Sequence, residues 1–269
     1  MRMLTPLRPD PEAPLARANP VAKLAAAAIL MLALFLSLDL LTPALVLVVL
    51  LLAIPATGIG PSALLSRTWP LLLAALALAV FNALFSANSG GVVIVDAGPI
   101  LLRSDAVVGG LAVGLRVLGI ALAGVLAVLA TDPTDLADSL QQQLRLSPRL
   151  AVGALAAVRL MPTIAQEWQI LRLARRARGV SAGRSPVAAV RIAAGQLLSL
   201  LVSAIRRATR LATAMEARGF GARTCRTIAR EQRMRRDDWL LIVAAAAVAI
   251  VAVGIGLVLG SWRFLFGAG

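Results

Sequence analysis

Apolar runs of about the length of a hydrocarbon core constrain this chain more than any other feature. Crossing such a core takes roughly 17–25 helical residues, and runs of that order extend from about Val21 to Leu38, Ala44 to Ile59, Leu71 to Phe85, Val107 to Ala130 and Trp239 to Leu259. Backbone inside lipid must satisfy its own hydrogen bonds, so these runs are expected as helices. Composition agrees: 59% of the 269 residues are hydrophobic and 15% charged, where a soluble domain has about 45–50% and about 25%. The expectation is an all-α integral membrane protein with about five transmembrane helices and a helical domain in the cytoplasm. Its divisions are a cytoplasmic N-terminal tail (1–20), transmembrane helices 1–4 (21–130), a cytoplasmic segment (131–238) and a last transmembrane helix (239–259).

The sidedness comes from charge. The formal net charge is +14, carried by 26 Arg and a single lysine, Lys23. The connections that begin at Asp39 and Ser86 have almost no net positive charge. The N-terminal tail, the Arg67 loop and residues 131–238 hold nearly all of it, with 19 Arg against 8 acidic residues in the last. Positive charge is retained on the cytoplasmic face, which puts the N-terminus and 131–238 inside. Trp239 and Trp262 bound the last run as interfacial anchors. The first run has no cleavage signature behind it and is expected to be a retained span.

Several chemistries are excluded by residue type. There is no His and one Cys, Cys225, so neither an internal disulfide, a Cys/His zinc site nor a His general base is available. A P-loop needs a Lys after its glycines, and Lys23 stands in no such context. No cofactor or metal is expected, and the chain has no enzymatic constellation.

The 131–238 segment is the most specific part. Asp132-Pro133, Ser147-Pro148 and Ser185-Pro186 each pair an N-cap with Pro at the first helical position, predicting a short helix to about Leu146 and two long ones to Arg178 and Arg218, with Pro162 inside the first of these. Residues 1–18 read as an irregular tail that Asn19-Pro20 converts into a helix by the same device, and Gly60-Pro61 through Pro70 as a returning loop. Val92–Val95 suits a short strand or an extended loop. Both long helices end alike, at Ala177-Arg178-Gly179 and Ala217-Arg218-Gly219. Glycine after a helix is an ordinary C-cap and Arg suits the negative end of the dipole. The repetition, forty residues apart in one segment, sets these ends apart and suggests two similar receivers. Gly195, Ser199 and Ser203 form a small-residue stripe suited to close helix crossing, and the apolar stretches Ala151–Val158 and Val187–Val202 are expected to bury against each other or against the bilayer.

At this level the chain resembles the transmembrane T component of energy-coupling factor transporters. The resemblance is carried by Asp135-Leu136-Ala137, Arg159-Leu160-Met161-Pro162, Ala177-Arg178-Gly179, Ser203-Ala204-Ile205-Arg206-Arg207-Ala208 and Ala214-Met215-Glu216-Ala217-Arg218-Gly219-Phe220-Gly221, with Asn19-Pro20 to Lys23-Leu24 at the start of the first span. It is strong over about ninety residues and loose over the spans. It implies a non-catalytic coupling subunit in the cell membrane, working with two ATP-binding cassette ATPases and a separate substrate-binding membrane subunit, in uptake of a vitamin, a vitamin precursor or a transition-metal ion. Carried over by motif, Arg178 and Arg218 dock on the ATPases.

Arg116 lies within the fourth run, where an ionisable side chain either snorkels to the interface or marks function. Gly110 and Gly114 before it suit close helix contact, such as with the substrate-binding subunit. The six Arg between Arg223 and Arg236 read as a juxtamembrane anchor; with no aromatic interleaved, nucleic acid is not expected as a partner. Two other readings compete: a conventional permease lining its own path, which needs polar residues in the spans, and a membrane scaffold holding anionic lipid through its arginines.

Overall fold

A computed structural model describes residues 13–85, 92–96, 101–144, 146–180, 183, 185–220 and 231–258. The expectations for residues 1–12, for most of the Ser86 connection, for Gly221, for Cys225, for Arg223, Arg226 and Arg230 of the arginine run and for Trp262 lie outside the described residues. Nine helices and one hairpin are described: α1 (Pro14–Arg17), α2 (Pro20–Leu36), α3 (Leu41–Ala53), a 3-10 turn (Pro55–Thr57), α4 (Pro61–Phe85), β1 (Val93–Asp96), β2 (Leu101–Arg103), α5 (Ser104–Leu129), α6 (Pro133–Gln143), α7 (Pro148–Ala177), α8 (Pro186–Ala217) and α9 (Arg236–Val258). The expected all-α membrane protein is the architecture found. Among the described residues the departure is the antiparallel β1–β2 pair, which resolves the Val92–Val95 ambiguity in favour of a strand.

The chain forms two compact units that divide within α6, residues 1–139 with 232–269 and residues 140–231. In the first, α2, α3, α5 and α9 surround a core of Leu30, Leu34, Val46, Leu50, Leu122, Leu126 and the α9 alanines Ala245, Ala249 and Ala252. α4 packs on α5. The contact is backbone-close: a Cβ on Gly110 would lie 2.4 Å from the Ala79 carbonyl oxygen, and one on Gly114 2.7 Å from the Ala79 Cβ. The close approach that these glycines suit is therefore made to α4 of the same chain, not to another subunit.

Two elements differ from their sequence expectation. Gly60-Pro61 through Pro70 is helix, the first part of α4, with Pro70 inside it. Pro61 is preorganised for a first turn, and a membrane helix tolerates an internal Pro where neighbouring groups satisfy the freed carbonyl. Residues 14–17 of the tail form α1, which packs on the 3-10 turn.

Among the described residues, five helices are long and apolar enough to cross a membrane: α4, α5, α7, α8 and α9. The number matches the expectation but the members do not. α2 and α3 have 17 and 13 residues, about 26 and 20 Å of helix, short of a ~30 Å core. α8 qualifies because its charge lies toward its two ends, and α7 because Arg159 and Glu167 are sparse among apolar residues.

Candidate functional site: two arginine tips on a helix pair

In the second unit α7 and α8 run antiparallel. Three contacts set the register: Arg175 reaches Ile192 and Gly195, Glu167 pairs with Arg207, and Ser203 donates to Glu167 at 3.3 Å. The Arg175 guanidinium donates to the carbonyls of Ile192 and Gly195, both at 3.0 Å. A Cβ on Gly195 would sit 3.3 Å from its Nη1, so the missing side chain is what lets a planar cation lie on the α8 backbone. Of the predicted stripe, Gly195 and Ser203 make the crossing; Ser199 bonds back to its own helix at the Gly195 carbonyl. Toward the start of α7 and the end of α8 a cleft of about 450 Å³ opens, lined by Arg149, Ala156, Leu160, Leu211, Met215 and Phe220.

The two helix ends are the same motif. Ser147 and Ser185 cap the starts, accepting from Leu150 and Ala188. At the far ends Val180 N–H donates to Arg175 O at 2.9 Å and Gly179 N–H to Arg176 O at 3.0 Å, while Phe220 N–H donates to Met215 O and Gly219 N–H to Glu216 O, both at 2.9 Å. This is the Schellman pairing, six-to-one and five-to-two. It needs a left-handed residue after the cap, supplied by Gly179 at φ 77° and Gly219 at φ 75°. Arg178 and Arg218 thus occupy equivalent cap positions, at φ/ψ of −84°/9° and −90°/12°. Both are exposed together with Ala177 and Ala217, and neither guanidinium has a hydrogen bond or ion pair among the described residues. Because the helices are antiparallel, the tips stand at opposite ends of the pair. A helix of 30 residues is about 45 Å long, which sets the scale of their separation.

The apolar faces of this pair are only partly buried against each other. Leu150, Met161, Ile170, Leu173, Val187, Leu197, Leu198 and Leu201 are all more than half exposed; of α8 only Gln196 and Leu200 are buried. The helices cover each other at their crossing and leave the rest open.

Arg116 sits in the first unit, twelve residues after the first residue of α5. α2 and α5 are antiparallel, with Lys23 at Ala130 and Leu34 at Gly119. One turn earlier on α5, Arg116 comes within the electrostatic reach of Asp39. Asp39 takes the N–H and hydroxyl of Thr42 on one oxygen, each at 2.8 Å. Its other oxygen, the Ser37 hydroxyl, and Nε and Nη2 of Arg116 have no partner among the described residues. Buried polar groups of this kind are satisfied by water or by a matching group.

A second polar junction was signalled by the stretch from Asn19-Pro20 to Lys23-Leu24. Lys23, 5% exposed, donates to the Ala130 carbonyl at 2.6 Å and to Ala16 at 3.1 Å, capping the C-terminus of α5. Asp238 accepts the N–H of Asn19 at 2.6 Å and of Arg235 at 2.7 Å. One end of α2, α5 and α9 is tied together by two opposite charges, each spent on backbone.

A family described as cobalt transport protein, CbiQ, matches residues 11–227. Among curated proteins, the chain is similar to energy-coupling factor transporter transmembrane proteins. It is 31% identical to one from Listeria monocytogenes over 81% of this chain and 82% of that protein. A Heliobacterium modesticaldum protein is 30% identical over 89% and 92%. A Staphylococcus aureus protein is 30% identical over 61% of this chain and 64% of its own length. The family match spans both arginine tips.

Proposed function

The chain belongs to the CbiQ family, the transmembrane T components of energy-coupling factor transporters, and from that premise we propose that it couples two cytoplasmic ATP-binding cassette ATPases to a separate substrate-binding membrane subunit. The substrate class is a vitamin, a vitamin precursor or a transition-metal ion, taken up across the cell membrane. Residues 131–238 form the cytoplasmic coupling domain, and ATP is hydrolysed in the partners.

The observation that carries this reading is the pair of equivalent arginine tips at opposite ends of one antiparallel helix pair. Two identical caps with outward guanidinium groups suit two copies of one receiver. A guanidinium offers five donors in a rigid fork, matched to carboxylates or carbonyls on a partner, and a lysine does not reproduce that geometry. Closing the two receivers on each other pushes the tips, and the Arg175 and Glu167 contacts transmit the push to the crossing. The first unit supports a scaffold more than a permease: the spaces among α2, α3, α5 and α9 and among α3, α4 and α5 are both lined almost wholly by apolar side chains, which suits no polar substrate.

The test is co-purification. The chain carrying Arg178→Glu with Arg218→Glu is expected to lose both ATPases while remaining in the membrane. If the double variant still brings down the ATPases and still supports uptake, the coupling assignment is wrong.

A further inference from the structure

The register of α2 against α5 sets the depth of the turn between α2 and α3. Lys23 reaches the Ala130 carbonyl and Leu34 lies against Gly119, so each step along α2 is one step back along α5. Ser37, three residues beyond Leu34, therefore falls level with Arg116. On α5, Arg116 is eleven residues from Asp105, the charge that precedes it. That is about 16 Å of helix, half of a ~30 Å hydrocarbon core.

The α4–α5 pair between those two levels has the surface of a membrane span. Ala75, Ala79 and Ala83 of α4 lie against Gly114 and Gly110 of α5. Around them Val80, Phe81, Leu84 and Phe85 of α4 and Val108 and Leu111 of α5 are exposed, and no charge interrupts either helix there. Such a surface belongs in hydrocarbon. α2 ends at Leu36 and α3 starts at Leu41, so their connection stops at mid-core while α4 and α5 continue past it. Both ends of this hairpin lie together, because α1 leads into α2 and packs on the 3-10 turn that follows α3.

Non-helical backbone at membrane depth is tolerated where protein buries it or water reaches it. Ser37, Asp39, Thr42 and Pro43 are buried. Asp39 accepts the N–H of Thr42 at 2.8 Å, in the first turn of α3, and the Thr42 hydroxyl lies 3.3 Å from the Ala252 carbonyl of α9. The other Asp39 oxygen, the Ser37 hydroxyl and Nε and Nη2 of Arg116 are buried without a partner among the described residues.

We propose that α2 and α3 form a re-entrant hairpin, and that Ser37, Asp39 and Arg116 at its turn hold water at mid-membrane. The donor and acceptor types select the guest. The Asp39 oxygen asks for a donor, the guanidinium asks for acceptors, and the hydroxyl serves as either. An anion would meet the carboxylate and a metal cation the guanidinium, whereas water donates to one and accepts from the other. The two charges compensate each other, which is what an ionisable side chain at this depth requires.

The first test is cysteine labelling, with Cys225→Ala so that the introduced thiol stands alone. Leu38 in the turn is 36% exposed and Val92, before β1, is 77% exposed, so depth decides which of the two meets a charged maleimide. In opened membranes, with both faces accessible, Val92→Cys is expected to react and Leu38→Cys to react only after denaturing solubilisation. Equal labelling of the two in membranes places the turn in bulk water and overturns the hairpin. The second test reads the polar site. Arg116→Met and Asp39→Leu are each expected to lower the unfolding temperature, and the two together to recover most of the loss, because neither charge is then left alone; losses that simply add overturn a joint site. Hydroxyl radicals generated by radiolysis of bound water are expected to modify Leu40 in the wild type and to spare it in the double variant. A Leu40 spared in both overturns the water.

Discussion

Lys23 shows how much one side chain does at a helix junction. It is the chain's single lysine, it is almost fully buried, and its ammonium is spent on the carbonyl that ends α5 and on a carbonyl of α1. Replacing it by Met leaves the Ala130 oxygen at the negative end of a helix dipole without a cation. Lys23→Met is expected to cost about 2 kcal/mol, read as lowered resistance of the detergent-solubilised chain to denaturant. Arg178 and Arg218 answer a different question, since nothing within the described residues uses them and their removal touches no internal contact. Arg178→Lys with Arg218→Lys keeps charge and backbone but loses the fork. The expected outcome is weakened ATPase retention with unchanged thermal stability; a double lysine variant that binds as well as wild type argues that only charge matters at the tips. The arginines and their glycines were legible as sequence because a Schellman cap has a strong local signature. The electrostatic coupling of Asp39 to Arg116 was not, because 77 residues of chain separate the two and only the antiparallel packing of α2 on α5 brings them within range.

At the scale of elements, helix starts were readable and helix surroundings were not. Asn19, Asp132, Ser147 and Ser185 each accept an N–H from the helix they open, since an N-cap is decided within three residues. The fate of a glycine in a helix is decided by another helix. Gly110 and Gly114 admit the backbone of α4, and Gly195 admits Arg175. Gly110→Leu must displace Ala79 and is expected to cost about 1–3 kcal/mol through overpacking, visible as a lower unfolding temperature. Gly195→Leu acts at the crossing instead: it pushes the guanidinium off the α8 carbonyls but leaves both tips intact. It is expected to keep the ATPases in a pull-down and to lower uptake several-fold, which separates docking from transmission. If uptake is unchanged, the Arg175 contact plays no part in coupling.

For the whole molecule, the antiparallel run of α7 and α8 puts the two tips far beyond the reach of one binding event. Each single reversal, Arg178→Glu or Arg218→Glu, is therefore expected to remove one of the two ATPases, and their effects to add as for distant sites; quantitative gel densitometry of the purified complex measures the ratio. The open apolar faces of α7 and α8 also matter at this scale. They meet the length and composition of spans although the charge pattern assigns them to the cytoplasm, because an apolar run records only that a surface must be covered. By itself the sequence determined that this is a helical membrane protein, where its helices start, and that two of them end in the same arginine cap. Those are consequences of hydropathy, periodicity and bonds closed within a few residues. Tertiary structure alone decided that α4 begins at Pro61 and runs through Pro70, that the paired glycines serve α4, that Arg116 comes within the electrostatic reach of Asp39, and that the tips point in opposite directions. Each of these depends on which distant backbone lies alongside, and a one-dimensional pattern carries no record of that.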